Sequence, residues 1–93
     1  MTAKGDYIRV VATSGQGYFG FAIARTIGCH ARRNRLRRRL RSIVVSTPTP
    51  AHLDFCVVGL RNADRAPHAV LKEEFTQLIA RIEQEWEERS ASG

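Results

Sequence analysis

The chain has 93 residues, with 15 Lys and Arg against 9 Asp and Glu, a formal net charge of +6 and a pI near 10.4. That length makes one domain over 1–93, burying a little over about 60% of its unfolded surface, and leaves no room for a second. No apolar stretch approaches the roughly 20 residues needed to cross a bilayer and no signal-peptide core opens the sequence, so a soluble, cytoplasmic protein is expected.

In chain order, Tyr7 to Ala12 is β-branched and partly alternating, which predicts a strand ending in the turn-forming Thr13-Ser14-Gly15-Gln16-Gly17. Tyr18 to Ala24 predicts a second strand with Phe19, Phe21 and Ile23 on the buried face. The five-residue connection predicts an antiparallel hairpin. Gly28 breaks the chain, and a helix is expected from His30 or Ala31, its apolar stripe formed by Leu36, Leu40, Ile43 and Val44 and its end set by Thr47-Pro48-Thr49-Pro50.

Asp54 to Leu60 is almost wholly apolar, suggesting a strand buried on both faces or centrally placed. A loop over 62–66 leads to Pro67, which suits the first turn of a helix. In that helix Val70, Leu71, Phe75, Leu78, Ile79, Ile82 and Trp86 recur at helical spacing, and residues 90–93 read as a disordered tail. The β-β-α-β-α order predicts an α+β fold, a two-layer α/β sandwich.

Charge is segregated along this frame. Arg25 to Arg41 contains eight arginines and no acidic residue, whereas residues 73–88 hold six glutamates and one arginine. Arginines at 33/37, 35/39 and 37/41 are i,i+4 neighbours, and those at 32/35, 35/38 and 38/41 are i,i+3 neighbours. At roughly 0.2 to 0.5 kcal/mol per like-charged pair the helix carries about 1 to 3 kcal/mol of repulsion. A solvated face ordinarily mixes signs. A phosphate backbone relieves the repulsion, because guanidinium is planar, permanently charged and matched to phosphate oxygens.

Residues for autonomous catalysis do not cluster. Asp6, Asp54 and Asp64 are scattered over strand ends and loops, and His30, His52 and His68 share no motif. Cys29 and Cys56 have neither metal-ligand nor redox spacing and read as free thiols. No catalytic residue, metal site or protein-bound cofactor is expected.

Gly20-Phe21-Ala22-Ile23-Ala24-Arg25-Thr26-Ile27-Gly28, followed by Arg33-Asn34-Arg35-Leu36-Arg37-Arg38-Arg39-Leu40-Arg41, resembles the protein component of bacterial ribonuclease P over roughly residues 6 to 86. The resemblance implies a ribosomal protein S5 domain 2-like fold with a left-handed βαβ crossover. It also implies a subunit of a ribonucleoprotein endoribonuclease, whose partners are the ribonuclease P catalytic RNA and precursor tRNA, and whose chemistry belongs to the RNA with Mg²⁺. By the family pattern Arg33, Asn34, Arg35, Arg37, Arg38 and Arg41, with Arg25 at the strand end, would contact the catalytic RNA; Arg32 belongs to the same basic run. Tyr7, Arg9 and Tyr18 would serve the single-stranded leader in a cleft on the sheet.

Departures from the pattern are Ala24, Thr26, His30 and Ser42, and Met1-Thr2-Ala3-Lys4-Gly5 stand where the family has an extra helix. A shortened member, or a natural start lying upstream, is the expectation, with half of the leader cleft missing. A structural RNA-binding protein of another ribonucleoprotein such as the ribosome is the alternative. Duplex DNA is not expected as a partner, because no helix-turn-helix pair or dimer seam is present.

Overall fold

The computed structural model describes residues 1–92, with side chains as far as Arg89; the tail expected over 90–93 lies outside the side chains so described. The elements run β1 (Thr2–Lys4), β2 (Ile8–Ser14), β3 (Phe19–Ile23), a 3₁₀ turn at Arg25–Ile27, α1 (His30–Ser46), β4 (Leu53–Gly59), a second 3₁₀ turn at Ala63–Arg65, and α2 (His68–Ser92). A two-layer α+β architecture results, with the sheet in the order β1-β2-β4-β3.

The expected β2-β3 hairpin is overturned: β4 inserts between the two strands, antiparallel to β2 and parallel to β3. The cause lies in the 15–18 connection. Asp54 Oδ1, at the start of β4, accepts hydrogen bonds from the backbone N–H groups of Gln16, Gly17 and Tyr18 at 2.9, 3.1 and 2.9 Å. This carboxylate wraps the loop around the end of β4, so that β3 emerges on its far side, with Phe55 N–H donating to the Tyr18 carbonyl at 3.0 Å. Seven residues of β2 then pair with β4, from Ile8 opposite Gly59 to Ser14 opposite Leu53.

The opening residues form a strand that the sequence pattern did not predict. Thr2, Ala3 and Lys4 pair with Val11, Val10 and Arg9. Glu74 of α2 anchors the turn that follows, accepting the N–H groups of Asp6, Tyr7 and Ile8 at 2.7, 2.9 and 2.8 Å. Three backbone donors, two of them half-buried, are thereby satisfied by one side chain.

Alternation along β4 buries Leu53, Phe55, Val57 and Gly59 and leaves Asp54, Cys56 and Val58 half-exposed. The strand is central, as composition suggested, but only one of its faces is core. Against that face α1 sets Leu36, Leu40, Ile43 and Val44, and α2 sets Leu71, Phe75, Leu78, Ile79 and Ile82. Full burial of such side chains contributes about 1.5 to 3 kcal/mol each, and truncating Leu40 to Ala would cost roughly 2 to 5 kcal/mol. Val70 is corrected to the surface, 39% exposed in the first turn of α2.

The phenylalanines of β3 also depart from expectation. Because β3 is an edge strand, Phe19 remains 38% exposed and Phe21 and Ile23 are only partly covered. Phe19 stacks on Phe55 at 6.0 Å between centroids and meets Phe21 edge-on at 5.7 Å. Both cysteines are free thiols, Cys29 exposed and Cys56 half-buried.

Candidate nucleic-acid interface

At about 100° per residue, Leu36, Leu40 and Ile43 fix which side of α1 meets the sheet, and the other side chains follow. Asn34, Arg35, Arg38 and Arg41 project from the opposite face, Arg32 and Arg39 occupy one flank, and Arg33 and Arg37 the other. Arg35, Arg37, Arg38 and Arg41 are exposed. Ala31, Asn34, Arg35, Arg37 and Arg38 line a shallow concavity of about 520 Å³. Four turns of helix thus present a rigid comb of guanidinium groups, held in place by a buried apolar stripe.

The flanks behave differently. Arg32 Nη2 pairs with the Asp64 carboxylate. Arg39 donates to the backbone carbonyls of Asp64 and Ala66, tying the second 3₁₀ turn to the helix. Arg32 is therefore partly neutralised, and Arg39 is a structural arginine. Arg33 is half-buried, with Nε enclosed and unpartnered. Asn34 lies inside the helix rather than at its cap, its Nδ2 3.1 Å from His30 Nε2 one turn earlier.

Arg25, exposed, stands just past the end of β3 in the first 3₁₀ turn. Arg61 and Arg65, which the sequence pattern did not single out, stand just past the end of β4. Parallel neighbours end on the same edge of the sheet, so these arginines converge near the start of α1. The signal was the two arginines four residues apart after β4, at 61 and 65; the expected hairpin concealed it by sending β3 and β4 to unrelated places.

Among the leader candidates, Tyr7 is half-buried against the core, Arg9 is exposed on the open sheet face opposite Val58, and Tyr18 is 70% exposed. Arg9 and Tyr18 flank β4 from opposite sides and near opposite ends, offset by roughly 13 Å along the strand direction at about 3.3 Å per residue. Between them Val11, Thr13, Gly20 and Cys56 line a shallow hollow of about 300 Å³.

The carboxylates that could suggest catalysis have other tasks. Asp54, Asp64 and Glu74 bind the 15–18 loop, Arg32 and the β1-β2 turn respectively. Hydrogen bonds from the N–H groups of Gln16, Tyr18 and Gly17 hold the Asp54 carboxyl below its usual range. No group of three or more His, Cys, Asp or Glu is arranged to hold a metal among the described residues.

The family model described as Ribonuclease P matches residues 2–83, nearly the whole chain. The chain belongs to the ribonuclease P protein family. Its sequence is 40% identical over 67 residues to the ribonuclease P protein component of Acidothermus cellulolyticus, covering 70% of this chain and 56% of that protein. It is 33% identical over 67 residues to the ribonuclease P protein component of Paramagnetospirillum magneticum, covering 68% and 50%.

The chain spans about half the length of the curated relatives it matches. Its fold resembles the RNase P protein of Thermotoga maritima in complex with 1-(4-fluorophenyl)-2-thiourea, with a TM-score of 0.79 at 21% identity over 87% of this chain and 84% of that one. The RNase P protein of Staphylococcus aureus is similar with a TM-score of 0.73 at 14% identity, covering 88% and 79%. At those identities the ribonuclease P protein structures share the fold of this chain. No helix among the described residues is long and apolar enough to cross a membrane.

Proposed function

We propose that this chain is the protein subunit of ribonuclease P, docking through α1 onto the catalytic RNA and assisting removal of the 5′ leader from precursor tRNA. One observation carries the reading. Of the eight arginines in 25–41, Arg32 alone meets a carboxylate among the described residues, while the opposite side of the same helix is locked into the core. Such a helix is a preorganised phosphate binder, since little further ordering accompanies contact.

In this reading Arg35, Arg37, Arg38 and Arg41 engage RNA phosphates, Arg33 joins them from the flank, and Arg25 extends the contact past the sheet edge. Asn34, with a donor and an acceptor on one side chain, suits a sugar hydroxyl or a metal-bound water. Phosphodiester cleavage falls to the RNA, with Mg²⁺ held there. The protein's own Asp54, Asp64 and Glu74 are engaged in structural contacts and do not fit a metal site. Arg9 and Tyr18 offer charge and a stacking surface to the leader. A catalytic RNA and precursor tRNA as partners put the chain in the cytoplasm.

The test is to add the folded chain to a bacterial ribonuclease P RNA at low magnesium and follow cleavage of precursor tRNA. Stimulation is expected. A chain that binds the RNA without raising cleavage would instead be a structural RNA-binding protein of another ribonucleoprotein.

A further inference from the structure

A second basic hollow, separate from the concavity over Arg35 and Arg38, lies where the carboxyl ends of β3 and β4 meet the start of α1. It has a volume of about 200 Å³, and its walls include Thr26, Gly28, Arg32, Arg61, Asp64 and Arg65. At about 30 Å³ per water it accommodates a phosphate group with part of its hydration. We propose that this hollow seats a backbone phosphate of RNA, with Arg61 and Arg65 as its cationic ligands; the proposal rests on the chain being an RNA-docking subunit and adds a contact beyond the outer face of α1.

Charge, rigidity and shape support it. Asp64 is committed to Arg32, and neither Arg61 nor Arg65 has a carboxylate partner among the described residues. The hollow therefore keeps two uncompensated guanidinium groups beside one neutralised pair. Its outer wall is fixed: Arg39 grips the carbonyls of Asp64 and Ala66, and Asn62 turns the chain in the left-handed region at φ 69°. Exposed arginines on a clamped turn lose less freedom on binding than arginines on a loose loop.

Gly28 keeps the opposite wall open. Its φ is 125°, and a Cβ there would lie 2.9 Å from Arg32 Nη1, forcing that side chain to move. Arg32 and Asp64 border both this hollow and the small pocket beside Arg35 and Arg39, so their ion pair stands between the hollow and the comb. An RNA strand following the comb past the first turn of α1 meets this hollow at the carboxyl ends of the parallel pair β3 and β4.

The experiment measures affinity of the full chain for a bacterial ribonuclease P RNA across a fourfold range of salt. Wild type is compared with Arg61→Ala/Arg65→Ala and with Lys72→Ala/Arg81→Ala, which removes two exposed charges elsewhere on α2. Each phosphate contact adds about 0.9 to the log-log slope, so loss of two should make the slope shallower by nearly two. Over fourfold salt the wild type should then lose about tenfold more affinity than Arg61→Ala/Arg65→Ala, with the α2 variant tracking wild type and all three melting alike. If the Arg61/Arg65 variant keeps the wild-type slope, or the α2 variant loses as much, the hollow is not a phosphate site. If wild type itself fails to bind the RNA, the proposed function falls with it.

Discussion

Arg39 and Ala66 are joined across the helix-loop boundary: the Arg39 guanidinium donates from Nη2 to the Ala66 carbonyl and from Nη1 to that of Asp64, the latter at 3.2 Å. A residue that belongs by sequence to the arginine run is in this way removed from the phosphate-binding set and given to the fold. Basic composition and basic function therefore separate residue by residue along one helix.

Replacing Arg39 with Ala should release the second 3₁₀ turn. Hydrogen bonds to a charged group contribute about 1.5 to 3 kcal/mol, so a loss on the order of 2 kcal/mol is expected in chemical denaturation. Arg38→Ala, its exposed neighbour, should leave the denaturation midpoint in place or raise it slightly by relieving repulsion with Arg35 and Arg41. Equal effects at the two positions would contradict the division of roles.

Arg35→Ala/Arg38→Ala should do the reverse. Both side chains are exposed, and their removal relieves like-charge pairs with Arg32, Arg39 and Arg41, raising stability by up to about 1 kcal/mol. RNA affinity should fall and the salt slope become shallower by about two, from a wild-type value steeper than about −4 if five exposed arginines touch phosphates. A wild-type slope shallower than about −2 would count against the comb.

Asp54 predicts an acid-sensitive loop. Its folded-state carboxyl is held below the usual range by the N–H groups of Gln16, Tyr18 and Gly17. A depressed carboxylate contributes stability that is present above its unfolded pKa, near 4, and is lost as pH falls through the folded value. Wild type should therefore melt higher than Asp54→Asn at pH 6, and the difference should shrink as pH drops below about 4. A constant difference down to pH 2 would show that the charge is not what holds the 15–18 loop.

Local signals carried much of this protein. The helical spacing of Leu36, Leu40, Ile43 and Val44 set which side of α1 is buried, and with it which arginines face outward, because side-chain direction on a helix follows from 3.6 residues per turn. Gly28 and Pro48 bounded the same helix, and the density of arginine stated that its outer face answers to an anion. The order of the main elements was likewise legible from period and punctuation.

Tertiary structure decided the rest, because the deciding interactions join residues far apart in the chain. Asp54 captures a loop 36 to 38 residues earlier and so routes β3 to the far side of β4. Glu74 reaches back 66 to 68 residues to fix a turn, beside a first strand too short to show a period. Once β3 and β4 lie parallel, Arg25, Arg61 and Arg65 gather at one sheet edge, and Asp64 and the carbonyls around it claim Arg32 and Arg39. By itself the sequence determined that this chain presents a cationic helix to a polyanion; strand order, which no local propensity encodes, decided which arginines remain free to do so.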